Sequence, residues 1–446
     1  MSAKLHVVER LARWAEAYRA EPIAPEVMHH AKRAVIDWYA ALLPGAIVSP
    51  AVLLEKSLSE ELDKGKAKLA LGRSATVRAA ALINGVAAHT MEVDDIFRDG
   101  IYHPGAPTIS AALALAQATG ASGEQFLRAV IVGYEISTRI GAAMGKAHYK
   151  YWHNTGTIGV FGACAAACEL LQLDTKRFAH ALATVTTFSA ALQQSFRMDS
   201  MSKPLHAGRA AEAGVTAALA AKEGVTGSLD VIEGEAGFGR AMSDNPDWDK
   251  AFESLGKTFN ICRMTFKNHT CCGHTFAAID GALALQGRMK ITAREIERIR
   301  VGSYRAAKEV SGYESPTTPA EARFSLKYVV ATALVHGSVR FAAFEPARLE
   351  DPVTRSLMKR ISVSIDPELD SSFPHQRAAR VAFVTRDGRE EELLQPTRIG
   401  DPEAPLSDAQ LDAKYLELAV PVLGEIRARE LLANLWTLEK SKSVPQ

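Results

Sequence analysis

The sequence predicts a mainly α-helical protein in two parts. A large all-α domain is expected from residues 1–255 together with 397–446, and a smaller α+β domain from 256–396. Three observations carry this division. Before about residue 255, small and apolar residues recur at helical spacing in one segment after another. Beyond it, short runs alternate apolar with polar residues, as half-buried strands do. From about residue 397 the helical pattern returns, so the last helices are expected to pack back on the first part.

Element by element, residues 5–14 mix charged and apolar side chains at helical spacing. Residues 26–43 place Val27, Ala31, Val35, Ile36 and Tyr39 on one helical face. An Ala-rich helix follows over 75–92. Residues 104–123 carry no charged side chain, but Pro104, Gly105, Pro107 and Gln117 make a buried helix the better reading than a membrane span. Ser122 and Gln125 form a capping box, in which each side chain satisfies a free backbone N–H of the other, and they open a helix through Phe126, Val130 and Tyr134. Residues 159–171 are almost all small or apolar, as in a helix buried on every side. Asp174 caps another. In the second part, Ile299 with Val301, Ile361 with Val363 and Ile365, and Val381 with Phe383 alternate as strands do. Asp387-Gly388 then gives a hairpin turn. Thr292 with Glu295 and Ser407 with Gln410 form two further capping boxes.

Composition narrows the partners. The 446 residues are 47% hydrophobic and 23% charged, with 52 Lys and Arg against 51 Asp and Glu. A chain this apolar and this neutral folds, and it carries no global field for nucleic acid or an anionic membrane. Any anion must be held by a local cluster of cations. An odd number of Cys and no apolar leader-like segment lead us to expect reduced thiols in the cytoplasm.

Polar residues that look out of place fall in four clusters. Glu92, Asp94 and Asp95 end an apolar helix, where the helix dipole disfavours acids, so each needs a partner. His103 precedes Pro104, which predicts His103 at a helix N-cap, where free N–H groups favour a neutral imidazole suited to act as a base. The second cluster is the polar and aromatic run His148, Tyr149, Tyr151, Trp152 and His153, which leads into a Gly-rich buried helix. Its glycine spacing is not a dinucleotide motif, since no strand precedes it. Third, Lys203, His206 and Arg209 recur every three residues at a helix start, a candidate clamp for a di- or tricarboxylate. Fourth, Lys267, Cys271, Cys272 and His274 lie close together in sequence; Lys267 is a candidate base or carboxylate ligand. No Cys-x-x-Cys pair accompanies them, so no metal is expected.

In this order and spacing the clusters resemble the MmgE/PrpD family over almost the whole chain. The carrying motifs are Glu92-Val-Asp-Asp95 with His103-Pro-Gly, His153-x-Thr-x-x-x-Gly-x-Phe-Gly, Lys203-Pro-x-His-x-Gly-x-Ala, and Lys267 followed five residues on by Cys272. That family includes 2-methylcitrate dehydratase, cis-aconitate decarboxylase and iminodisuccinate epimerase. The resemblance implies a helical main domain with a smaller α+β domain, a homodimer, no cofactor and no metal. It assigns His103, His153, Lys203 and Lys267 to catalysis, with Glu92, Asp95, Tyr149, His206 and Cys272 binding substrate. Glu92 stands where many members have Asp, Ile96 where the decarboxylase and dehydratase carry Thr, and Cys272 where the decarboxylase has His. Residues 145–153 look most like the epimerase.

The expected activity is that of a cofactor-independent lyase or isomerase, 2-methylcitrate dehydratase-like, removing a proton next to a carboxylate of a small di- or tricarboxylate. An iminodisuccinate-type epimerase and a non-catalytic carboxylate-binding protein are the alternatives. The first two need fixed positive charge where a dianion develops and an acid–base pair beside it.

Overall fold

A computed structural model describes residues 5–196, 200–373 and 375–445. The chain forms two compact units, one running to Thr265 and resuming at Ser407, the other spanning Phe266–Leu406. Both limits lie beyond the expected 255 and 396. Thr265 remains in the first unit because its backbone pairs with Ile96 in both directions, at 2.8 and 2.9 Å. Residues 397–406 remain in the second because Ile399 donates to Asp280, Phe266 donates to the Gly400 carbonyl, and Arg398 forms a buried ion pair with Asp401.

In the first unit, helices run over Val7–Tyr18, Pro25–Ala46, Val77–Thr90, Gly105–Thr119, Gly123–Met144, Gly159–Leu170, Thr175–Thr186 and Ser202–Lys222. Ser122 and Ser407 make their capping boxes, and the Asp174 side chain accepts from Arg177 N–H. Every residue from Gly105 to Gln117 is buried, as expected of an uncharged helix. Among the described residues no single helix is long and apolar enough to cross a membrane. Small residues set the distances between helices. Val77–Thr90 and Ser202–Lys222 cross where Gly85 meets Gly208; a Cβ on Gly85 would lie 2.7 Å from the Gly208 Cα, and one on Gly208 would overlap the Leu82 carbonyl. This crossing brings the start of the second helix, with Lys203 and His206, to the end of the first.

Two features of this unit were not expected. A short antiparallel pair, β1 (Leu62–Lys68) and β2 (Ser74–Ala75), sits among the helices, with Leu62, Ala67 and Ala75 buried against Ala79, Ala80 and Ile83. The final helical stretch is also broken in two, Asp408–Leu423 and Glu425–Trp436, at Gly424, whose φ of 78° does not continue a helix.

The Asp408–Leu423 helix completes the first unit through a buried ion pair. Lys414 Nζ lies 2.5 Å from Asp37 Oδ1, in the middle of Pro25–Ala46, and donates at 2.7 Å to the carbonyl oxygen of Val93. Both side chains are 1% exposed. Burial pushes the Asp37 carboxyl up from its usual range and Lys414 pulls it back.

The second unit is built on a four-stranded sheet of β3 (Ile296–Ser303), β4 (Ile361–Ile365), β5 (Ala379–Thr385) and β6 (Glu390–Gln395), in the order β4-β3-β5-β6. β3 and β4 are parallel, while β5 runs antiparallel to both β3 and β6. The alternation seen in the sequence places Ile299 opposite Ile361 and Phe383, and Val301 opposite Val363 and Val381. These residues form one core with Leu285 of helix Phe276–Met289 and Tyr328 and Val329 of helix Leu326–His336.

All five Trp of the sequence lie in the first unit, so Trp fluorescence follows that unit's unfolding. Lys414→Met leaves Asp37 buried without its cation and is expected to lower stability by about 3–5 kcal/mol in urea unfolding read this way. Adding Asp37→Asn should recover part of the loss. A single variant as stable as the parent would show that the pair holds nothing in place.

Candidate active site

The turn that follows helix Val77–Thr90 gives each of its three acids a partner. Glu92 takes a left-handed conformation, φ 56°, and its carboxylate pairs with Lys203. Asp94 is buried, with Oδ2 2.7 Å from His89 Nδ1 and 3.3 Å from His103 Nδ1. Burial alone would raise the Asp94 pKa, but the two imidazoles outweigh it and hold the carboxyl well below its usual range. Asp95 accepts from Gly105 N–H at 3.0 Å and from the Tyr134 hydroxyl at 2.8 Å. A Cβ on Gly105 would come within 2.9 Å of that Asp95 oxygen, which gives the glycine of His103-Pro-Gly a physical reason.

The expectation for His103 changes with this arrangement. The helix starts at Gly105 with Pro104 as its N-cap, so His103 lies one residue further out. The helix N–H of Gly105 is taken by Asp95, and the His103 ring faces the Asp94 carboxylate instead. Its backbone N–H donates to Thr155 Oγ1 at 3.2 Å. Asp95, expected to bind substrate, is 3% exposed with both oxygens engaged, and it anchors the next helix.

His153 is the N-cap of the short helix Asn154–Thr157 and is buried. Its ring stacks on His89 at 5.4 Å between centroids, and His89 meets His103 edge-on at 4.8 Å. His153 Nδ1 lies 2.9 Å from Nδ1 of the half-buried His206. Burial, then His89, Lys203, His103 and His206, keep the His153 pKa well below the usual imidazole range. Burial, then His89 and Lys203, bring His206 down to about 4. The three-cation clamp expected from residues 203, 206 and 209 is therefore one cation and a neutral imidazole. Arg209 pairs with Glu212 on its own helix and is largely exposed. Thus Lys203, His103, His153, His206 and Glu92 are brought together. His89 and Asp94 join them, although neither was among the catalytic or substrate-binding candidates. Their signal was present in a histidine and an acid flanking the end of an apolar helix.

The remaining candidates stand elsewhere in the chain. Tyr149 is half-buried in the turn Lys146–Lys150, and its carbonyl accepts from the Gln193 side chain at 2.8 Å. Neighbouring His148 is buried between Thr157 Oγ1 and the Met242 carbonyl, and anchors that turn. Lys267 and Cys272 belong to the second unit. Lys267 is half-buried, and Cys272 N–H donates to the Arg323 carbonyl at 2.9 Å. Cys271 contacts Thr275 Oγ1 through sulfur, whereas His274 Nδ1 lies 2.9 Å from the Tyr304 hydroxyl, so these two side chains have separate partners.

His89, Asp94 and His103 bring donor atoms within 4.8 Å of one another, a spacing that can suit a metal ion. Ligands ~2.1 Å from an ion in tetrahedral array stand roughly 3.4 Å apart. The 2.7 Å between His89 and Asp94 is instead a hydrogen-bond length. An acid held ionised between two rings orients them and stabilises either ring when it takes up a proton. The cluster can therefore exchange protons with a substrate while Lys203 offers fixed positive charge.

Burial, with Asp37 nearby, raises Asp95 to about 8. Its folded pKa stands above the unfolded value, so the folded protein holds a proton that the unfolded chain releases. The contribution to stability is full below about pH 4 and is lost as pH rises through 8. Asp95→Asn should flatten this part of the stability profile between pH 5 and 9 in thermal unfolding; an unchanged profile would mean that Asp95 is ionised throughout.

Comparison with known proteins agrees with these motifs. Residues 9–251 match the MmgE/PrpD N-terminal domain and residues 269–439 the MmgE/PrpD C-terminal domain. Among curated relatives, the cis-aconitate decarboxylase-like protein oryM of Aspergillus oryzae is 25% identical over 99% of this chain and 96% of its own length. Human cis-aconitate decarboxylase is 26% identical over 82% of this chain and 80% of its own. That of Aspergillus terreus is 25% identical over 96% and 92%. With both domains matched in order over most of its length, the chain belongs to the MmgE/PrpD family.

Proposed function

We propose that this protein is a lyase acting on a small tricarboxylate, with proton transfer at a carbon next to a carboxylate as its central step. The observation that carries the proposal is the convergence of Lys203 with His103, His153 and His206 around the buried Asp94. Lys203 is a cation a substrate carboxylate can share with Glu92. His103, oriented by Asp94, and His153, kept neutral, are the acid and base. The relatives named cis-aconitate decarboxylase make cis-aconitate the first substrate to test. In its decarboxylation a C–C bond breaks and CO2 leaves. The electron pair spreads towards a remaining carboxylate, and a protonated imidazole then supplies the proton at carbon. In a 2-methylcitrate-type dehydration the same groups would remove a C–H proton and protonate the departing hydroxyl. Substrate binding by Tyr149 and Cys272 and catalysis by Lys267 belong to the same proposal, as does a homodimer in the cytoplasm.

A second reading follows from Ile96. Its side chain has no hydroxyl where the decarboxylase and dehydratase carry Thr, which favours an epimerase of an imino dicarboxylate that uses His103 and His153 on opposite faces of one carbon.

Product NMR with cis-aconitate, citrate, 2-methylcitrate and iminodisuccinate in deuterated water separates these readings. We expect turnover or C–H exchange with one of them, and a loss of roughly 10²- to 10⁴-fold in kcat/KM for His103→Ala or Lys203→Ala. Lys267→Ala should show a comparable loss. Silence with all four compounds would leave only carboxylate binding. The metal-free reading predicts full activity after chelation, with no stoichiometric metal by elemental analysis.

A further inference from the structure

The contact between His153 and His206 joins the same nitrogen of two rings, Nδ1 to Nδ1, at 2.9 Å. Two lone pairs repel at that distance and two N–H groups clash. The contact therefore needs one proton between the nitrogens, and the two rings must be opposite tautomers. If His206 carries the Nδ1 proton, its Nε2 bears a lone pair while the Nε2 of His153 bears a hydrogen. The opposite choice of tautomers reverses both.

We infer that His153 and His206 form a two-ring proton relay, with His153 the ring nearer the reaction and His206 its outlet to water; this rests on the function proposed above. A proton taken up at one Nε2 is matched by the shared proton crossing from that ring's Nδ1 to the other's, and by a proton leaving the second Nε2. One N–H bond breaks for each that forms, and neither ring keeps a charge. Burial differs along the path: His153 is 2% exposed, whereas His206 is half-buried. The helix crossing at Gly85 and Gly208 sets the spacing. At Gly156 a Cβ would come within 3.1 Å of His206 Cβ and closer still to Ala191 and Ala190, so the glycine lets these segments approach beside the pair.

The charged and titratable groups around the pair favour passing a proton over storing it. His89 stacks on His153 from helix Val77–Thr90. Lys203 lies one turn before His206 and is paired with Glu92. Beyond His89 stand Asp94 and His103. Burial first, then His89 and Lys203, disfavour an imidazolium at either ring, so an incoming proton moves on. His206 is thus a positioning and relay residue acting through His153, not a carboxylate ligand.

The test uses the full chain labelled with ¹⁵N at its histidine rings. We expect one Nδ1 of the pair to resonate as a protonated and the other as an unprotonated nitrogen, with a scalar coupling between them across the hydrogen bond. Assignment comes from His206→Asn, whose side-chain amide can donate where Nδ1 stood and hold His153 in place, but has no second ring nitrogen to release a proton. With cis-aconitate as probe, this variant should lose roughly 10- to 100-fold in kcat at nearly unchanged KM. Its rate should depend linearly on the deuterium content of the solvent where the parent's curves, and added imidazole should restore part of it. Two unprotonated Nδ1 signals without coupling in the parent would overturn the relay, as would full kcat in His206→Asn. If cis-aconitate is not turned over, the proposed substrate fails while the coupling still decides the relay.

Discussion

Among the described residues of the first unit five acids are buried, and the turn that carries the site depends on what neutralises three of them, Asp37, Asp94 and Asp95. An isolated buried carboxylate costs several kcal/mol. Each acid here meets that cost differently. Asp37 has a cation in Lys414, and Asp94 lies between two imidazoles. Asp95 is drawn towards its protonated form and held by Tyr134 and a helix N–H. Lys414 links the three, because its second bond goes to the Val93 carbonyl, immediately before Asp94. The turn carrying Glu92 and Asp94 is thus fixed from the C-terminal side of the chain, and His103 inherits its orientation.

The positive charge of the site is sparse by design of the sequence. Of the groups that a tricarboxylate could meet in the first unit, burial and mutual repulsion keep His153 and His206 neutral, beside the Lys203 that pairs with Glu92. Neutral rings beside one cation can accept protons, whereas a cluster of imidazolium groups would bind the anion but hold no base. Binding charge and proton-transfer capacity are in this way assigned to different side chains of one cluster.

Much of this was legible in the sequence. Capping boxes at Ser122 and Ser407, the uncharged helix after Pro104 and the alternation around Ile299 and Val381 are local signals, and local physics decides them. The misfit of three acids at a helix end showed that partners were needed. Which partner each acid takes was not legible, because it depends on chain crossings far apart in sequence, such as Gly85 on Gly208 and Lys414 on Asp37. For the same reason Arg209, in phase with Lys203 and His206, turned out to serve its own helix. The position of His103 shifted by one residue because Pro104 itself serves as the N-cap, and the β1–β2 hairpin escaped notice because its burial comes from helices on other parts of the chain.

The buried link from Lys414 also bears on the order of events at the ribosome. Asp37 is synthesised among the first residues and its cation only after the whole second unit has been made. Until then the Pro25–Ala46 helix carries an acid that is cheaper to leave in water than to bury. The emerging first unit therefore lacks the cation of its buried pair until residue 414 is made. The second unit, whose residues are contiguous, is the part able to complete its core first, against the usual sequence in which amino-terminal domains fold ahead of later ones.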